Sequence, residues 1–91
     1  MHPVRDFYYV YILQNSSGLL YAGATSDLKK RISEHRNGMS QYTSSSGRYK
    51  LVYYEACLNK DDAFRREKYL KSGMGKRYIK NRINPFLGED L

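Results

Sequence analysis

The chain has 91 residues and a mass of 10.7 kDa, which fits one domain and leaves no room for a dinucleotide-binding subdomain beside the core. Sixteen Lys and Arg against nine Asp and Glu give a net charge of +7, the balance of a protein that meets polyanions. Apolar runs are too short to cross a bilayer, and the single cysteine, Cys57, excludes an internal disulfide framework and a multi-thiolate zinc site. With no apolar leader at the N-terminus, a reducing cytoplasmic setting is expected.

Residues 7–14 (FYYVYILQ) are aromatic and β-branched, the composition of a strand. Asn15, Ser16, Ser17 and Gly18 form a turn cluster, and residues 19–23 (LLYAG) return as the second arm of a hairpin. Gly23 permits a bend or a close approach there. Thr25, Ser26 and Asp27 offer N-caps for a helix running to about residue 37, with Leu28 and Ile32 toward the core and Gly38 ending it. Residues 39–50 (MSQYTSSSGRYK) read as a polar, flexible loop and residues 51–56 (LVYYEA) as a third strand. Asn59, Lys60 and Asp61 open a second helix with Ala63, Phe64, Glu67 and Leu70 on one stripe, stopped by Gly73. Residues 76–83 read as a short third helix ended by Asn84 and Pro85, with a tail docked through Phe86 and Leu87. The order β-β-α-β-α-α predicts an α/β fold: one domain over residues 1–91, with a small three-stranded mixed or antiparallel sheet flanked by helices.

The charge is not spread evenly. Arg65, Arg66, Lys68, Lys71, Lys76, Arg77, Lys80 and Arg82 face a single acid, Glu67, so this stretch carries the whole net charge of +7. A localised basic face is the footprint of a nucleic-acid binder; the alternative is a solvated basic helix. There are ten tyrosines and no tryptophan. Most of the tyrosines suit a half-buried sheet, and some carry a hydroxyl able to do chemistry.

Three constellations stand out. Glu67 shares the helix face of Ala63 and Leu70, where a carboxylate is costly unless paired or metal-bound. Its partner is either a neighbouring Arg or Lys or a hard divalent cation such as Mg²⁺. Arg31 and His35 lie four apart on one helix face, able to clamp a phosphate and move a proton, or merely to occupy the surface. Tyr11 and Tyr21 fall on neighbouring strands. A five-residue turn would set them directly opposite; a four-residue turn would put them on opposite faces.

Together these residues resemble the GIY-YIG nuclease superfamily, whose members include homing endonucleases and the N-terminal domain of an excinuclease subunit. Tyr9-Val10-Tyr11 matches the first signature and Tyr21-Ala22-Gly23 the second. Tyr9 replaces the first glycine and Ala22 the usual branched residue; neither change removes a reactive group. Arg31 and His35 match the arginine and histidine of the following helix. Glu67 matches the metal-binding glutamate, and Asn81, or alternatively Asn84, matches the later asparagine. The likeness covers nearly the whole chain and is greatest to the small standalone members.

The resemblance implies phosphodiester hydrolysis in DNA with one Mg²⁺ or Mn²⁺ on Glu67. Tyr21 would act as base or water-orienting group, with Tyr11, Arg31, His35 and Asn81 completing the catalytic set. The basic run would grip the backbone, and the 39–50 loop would close over the strand. The expected substrate is chosen by structure, branched or single-stranded DNA in repair or recombination, because no appended domain reads bases. A homodimer or protein partner would help place the single site, with Tyr42, Tyr49 and Phe86 as contacts. The competing readings are a non-catalytic nucleic-acid-binding module that keeps the fold, and a protein-associated structural factor.

Overall fold

The first strand, β1 (Tyr8–Asn15), contains four consecutive residues, Val10, Tyr11, Ile12 and Leu13, each 2% exposed or less. A run buried without alternation belongs to a strand covered on both faces, and β1 is indeed the central strand. The computed structural model describes residues 7–36 and 49–87. Its sheet has the order β2-β1-β3, with β2 (Leu20–Thr25) and β3 (Tyr49–Cys57) both antiparallel to β1. The expected β-β-α-β-α-α order is the one observed, completed by α1 (Leu28–Arg36), α2 (Lys60–Lys71) and α3 (Gly73–Leu87).

The two faces of β1 have different tasks. Val10 and Ile12, joined by Ala22 and Val52, pack on Ala63 and Leu70 of α2 and on Ile79 and Ile83 of α3, forming the apolar core. Tyr11 points the other way, toward α1.

The β1–β2 turn fixes which residues meet. The Asn15 carbonyl accepts from the Gly18 N–H at 3.0 Å, and its side-chain Oδ1 accepts from the N–H groups of Ser17 (3.0 Å) and Leu19 (2.8 Å). Gly18 has φ 88°, a left-handed conformation that glycine adopts without strain. The loop proper is therefore Ser16–Gly18, shorter than either turn considered from the sequence. Tyr11 pairs with Gly23 and Leu13 with Tyr21. Tyr11 and Tyr21 thus share a face but sit diagonally, two positions out of direct opposition.

Several boundaries differ from expectation. Tyr49 and Lys50 belong to β3 rather than to the loop, because they continue the ladder against Asn15 and Gln14. The β1–β3 register slips between Ile12 and Leu13, leaving Val52 as the extra residue that turns into the core. The rest of the expected loop, Tyr42 included, and Gly38, the expected end of the first helix, lie outside the described residues. Ser72, not Gly73, closes α2: its N–H and Oγ both reach the Tyr69 carbonyl, at 2.9 and 2.6 Å. Its Oγ then accepts from the Gly75 N–H at 3.2 Å, and Gly73 already opens α3. That helix passes through Pro85 to Leu87, beyond the end expected at residue 83. Phe64 leaves the expected stripe. Standing one residue off the Ala63–Leu70 line, it is 50% exposed beneath the Lys60 ammonium.

Candidate active site

Asp27 starts α1: its Oδ1 accepts from the Lys30 N–H at 3.1 Å, and its carbonyl from the Arg31 N–H at 3.0 Å. The helix then turns an unusual face inward. Leu28 and Ile32 are half-buried, whereas His35 is only 3% exposed. A buried imidazole in place of an apolar contact calls for a polar partner. That partner is Tyr11, whose hydroxyl lies 3.1 Å from His35 Nε2 and accepts from Arg31 Nε at 3.3 Å. Because Arg31 can only donate, the single Tyr11 proton is available to His35 Nε2. Arg31 is oriented from its far side by Glu34, at 3.1 Å.

Gly23 makes this geometry possible. The Tyr11 ring lies across β2 at its cross-strand partner, and a Cβ on Gly23 would stand 2.5 Å from Tyr11 Cζ. Tyr21 then packs against the cluster, 5.5 Å from His35 and 6.3 Å from Tyr11 between ring centroids, with Tyr49 on its outer side at 6.4 Å. Tyr11 is enclosed and Tyr21 only half-buried, so Tyr21 is the more accessible of the two.

Burial raises the Tyr11 hydroxyl above its ordinary pKa. The Arg31 hydrogen bond opposes the shift, and Tyr21 and the Glu67 carboxylate add to it. Burial, with the Arg31 charge second, pushes His35 down, which keeps the imidazole neutral near pH 7. Glu67 therefore acts electrostatically on the Tyr11 hydroxyl although it rises from α2. Four of the six expected residues, Tyr11, Tyr21, Arg31 and His35, cluster together, and Glu67 is the weakest of the influences on the Tyr11 hydroxyl.

Glu67 is half-buried and meets Lys71 Nζ at 2.9 Å. Among the described residues no three His, Cys, Asp or Glu side chains come together as a metal cage. A single sheltered carboxylate suits a hard cation that keeps most of its waters and takes phosphate oxygens. Asn81 is exposed on α3. Asn84 is half-buried, and its Oδ1 is shut from solvent with no hydrogen-bond partner among the described residues.

The basic run divides in two. Arg66 is held in place by a forked ion pair to Glu55, Nε to Oε1 and Nη2 to Oε2, both 2.9 Å. Its guanidinium lies 5.2 and 5.0 Å from the ring centres of Tyr69 and Tyr78. Burial alone would raise the Glu55 carboxyl, but Arg66 and the Tyr53 hydroxyl outweigh it and leave it lowered, while Tyr53 is pushed up to about 12 by burial and by Glu55. Arg65 pairs with Asp62 and Lys71 with Glu67. Lys68, Lys76, Arg77, Lys80 and Arg82 are exposed, so the available cationic surface lies mostly on α3. Nothing in the local pattern around Glu55 signalled its long-range pairing with Arg66.

Residues 7–84, which hold the tyrosine pair, the α1 Arg-His face and the α2 carboxylate, match the model of the GIY-YIG catalytic domain. The chain belongs to the GIY-YIG family. It is 48% identical over 64 residues to a UPF0213 protein of Clostridium perfringens, covering 69% of each chain. It is 41% identical over 64 residues to a UPF0213 protein of Streptococcus agalactiae, covering 69% of this chain and 73% of that one. Among solved structures, the solution NMR structure of a UPF0213 protein from Bacillus halodurans matches with a TM-score of 0.57 at 33% identity, over 88% of this chain and 89% of the other. Among the described residues no helix is long and apolar enough to cross a membrane.

Proposed function

We propose that this protein is a divalent-metal-dependent endonuclease that hydrolyses phosphodiester bonds in DNA and selects its substrate by structure rather than by base sequence. The observation that carries the reading is the Tyr11 hub. One buried hydroxyl joins Arg31 and His35, packs beside Tyr21 and feels the charge of Glu67. Such a cluster is costly to bury for stability alone and is suited to a phosphate whose charge grows during reaction.

In this reading Arg31 binds the scissile phosphate and stabilises its developing charge. Tyr21, the accessible tyrosine, orients or deprotonates the attacking water. Tyr11 does not face water; its hydroxyl fixes Arg31 and His35 in place. Glu67 would hold Mg²⁺ or Mn²⁺, which when bound supplies Lewis-acid stabilisation of the leaving oxygen. Asn84, whose enclosed Oδ1 has no hydrogen-bond partner among the described residues, would be the supporting asparagine rather than Asn81. Lys68, Lys76, Arg77, Lys80 and Arg82 would track the backbone, giving a salt-dependent, sequence-independent grip. Repair or recombination intermediates, branched or single-stranded, are the substrates that fit such a grip.

The test is cleavage of end-labelled single strands, duplexes, flaps and junctions with Mg²⁺ or Mn²⁺, using wild type and Glu67→Ala. Metal-dependent cutting that collapses in the variant is the expected result. Equal cutting by both proteins sinks the assignment, and tight binding by both without cutting shows a binding module.

A further inference from the structure

Glu67 is already answered by a cation. Lys71 stands one helical turn on, with its Nζ 2.9 Å from Glu67 Oε2. Acid first and base four residues later is the favourable order on a helix. The lysine side chain is 52% exposed and the carboxylate 20%, so the carboxylate is the more sheltered partner. Lys71 also lines a cleft of about 300 Å³ between β2 and the α2–α3 pair. Ile12, Leu20, Ala22, Leu70 and Ile79 line that cleft together with Tyr21, Lys71 and Lys76. The two lysines are the charged groups of the lining, and their sign suits a phosphate.

Lys71 thus pairs with the candidate metal carboxylate and borders a phosphate-sized cleft. A divalent cation and an ammonium cannot occupy the same carboxylate oxygen without strong repulsion. We propose that Lys71 is a latch: it holds Glu67 until a substrate phosphate enters the cleft, draws the ammonium away and releases the carboxylate for metal. Metal and phosphate then bind cooperatively, and the site does not load with metal until nucleic acid arrives. The inference rests on the reading of Glu67 as the metal ligand.

The test is Mn²⁺ binding, by electron paramagnetic resonance or calorimetry, to wild type, Lys71→Met, Lys71→Arg and Glu67→Gln. Each is measured with and without thymidine 5′-monophosphate, a product-like phosphate with no diester left to cut. Lys71→Met should bind Mn²⁺ roughly fivefold more tightly than wild type in the absence of nucleotide, the scale of a half-exposed ion pair. In wild type the nucleotide should tighten Mn²⁺, and Mn²⁺ the nucleotide by the same factor. That coupling should shrink by more than half in Lys71→Met and persist in Lys71→Arg. A Lys71→Met protein with wild-type Mn²⁺ affinity, or with undiminished coupling, overturns the latch while leaving the metal reading intact. Wild-type Mn²⁺ binding by Glu67→Gln overturns the metal reading itself, and the latch with it.

Discussion

Replacing Gly23 by alanine tests whether the close approach of β2 to Tyr11 builds the active site. The added methyl would lie 2.5 Å from Tyr11 Cζ, well inside contact distance. A flexible side chain would swing aside cheaply, but Tyr11 is 1% exposed, bonded to Arg31 and His35, and flanked by the Tyr21 ring. The ring must therefore push the strands apart or abandon its partners, a form of overpacking that costs about 2 kcal/mol. For a domain of this size that lowers the Tm by about 8–16 °C. Displacing the hydroxyl by an ångström should also cost roughly 10²-fold in cleavage rate. Thermal unfolding by circular dichroism and single-turnover cleavage measure the two effects. A second arm uses Tyr11→Ala. Once the ring is gone, adding Gly23→Ala should cost almost nothing, so the two substitutions should be strongly non-additive. A Gly23→Ala protein with wild-type Tm and rate, or additive costs in the double variant, would refute the reasoning.

Other expectations follow from the same geometry. Tyr11→Phe keeps the ring but removes the oxygen joining Arg31 and His35; stability should fall by about 1 kcal/mol while cleavage falls far more, and a near-wild-type rate would show that the hydroxyl only fills space. Because the pKa of His35 is depressed in the folded state, the unfolded chain binds more protons below its ordinary value of 6.5. Its contribution to stability is thus complete above that pH and is lost as pH falls toward the folded pKa. Melting curves between pH 7.5 and 5.5 should be steeper in pH for wild type than for His35→Gln, and equal slopes would contradict this. Arg66→Ala leaves Glu55 half-buried without its partner and should cost about 1–2 kcal/mol, with little change in the salt dependence of DNA binding. Lys80→Ala should do the reverse, leaving the Tm unchanged and reducing the slope of log K against log salt by roughly 0.7–0.9. Identical behaviour of the two variants in both assays would dissolve the distinction drawn between them.

Much of this protein was legible along the chain. Element order follows from composition and periodicity, which are local properties: aromatic and β-branched runs make strands, and Asn59 caps α2 by accepting from the N–H groups of Asp61 and Asp62, at 2.7 and 3.3 Å. The candidate set Tyr11, Tyr21, Arg31, His35 and Glu67 could likewise be nominated from spacing and resemblance. What residues touch across the fold is not a local property. The diagonal placement of Tyr11 and Tyr21 depends on the Asn15–Gly18 turn, whose hydrogen bonds were invisible to a count of turn-forming residues. The burial of His35 ahead of Leu28 and Ile32 depends on the tyrosine waiting on the sheet. The division of the basic run depends on Glu55, eleven residues from Arg66 in sequence and bonded to it only once β3 and α2 have packed. Local chemistry along the chain dictates which elements form and how much charge they carry. Packing of those elements settles which charges pair with each other and which remain on the surface, because hydrogen bonds and ion pairs are set by distances that only the closed fold defines.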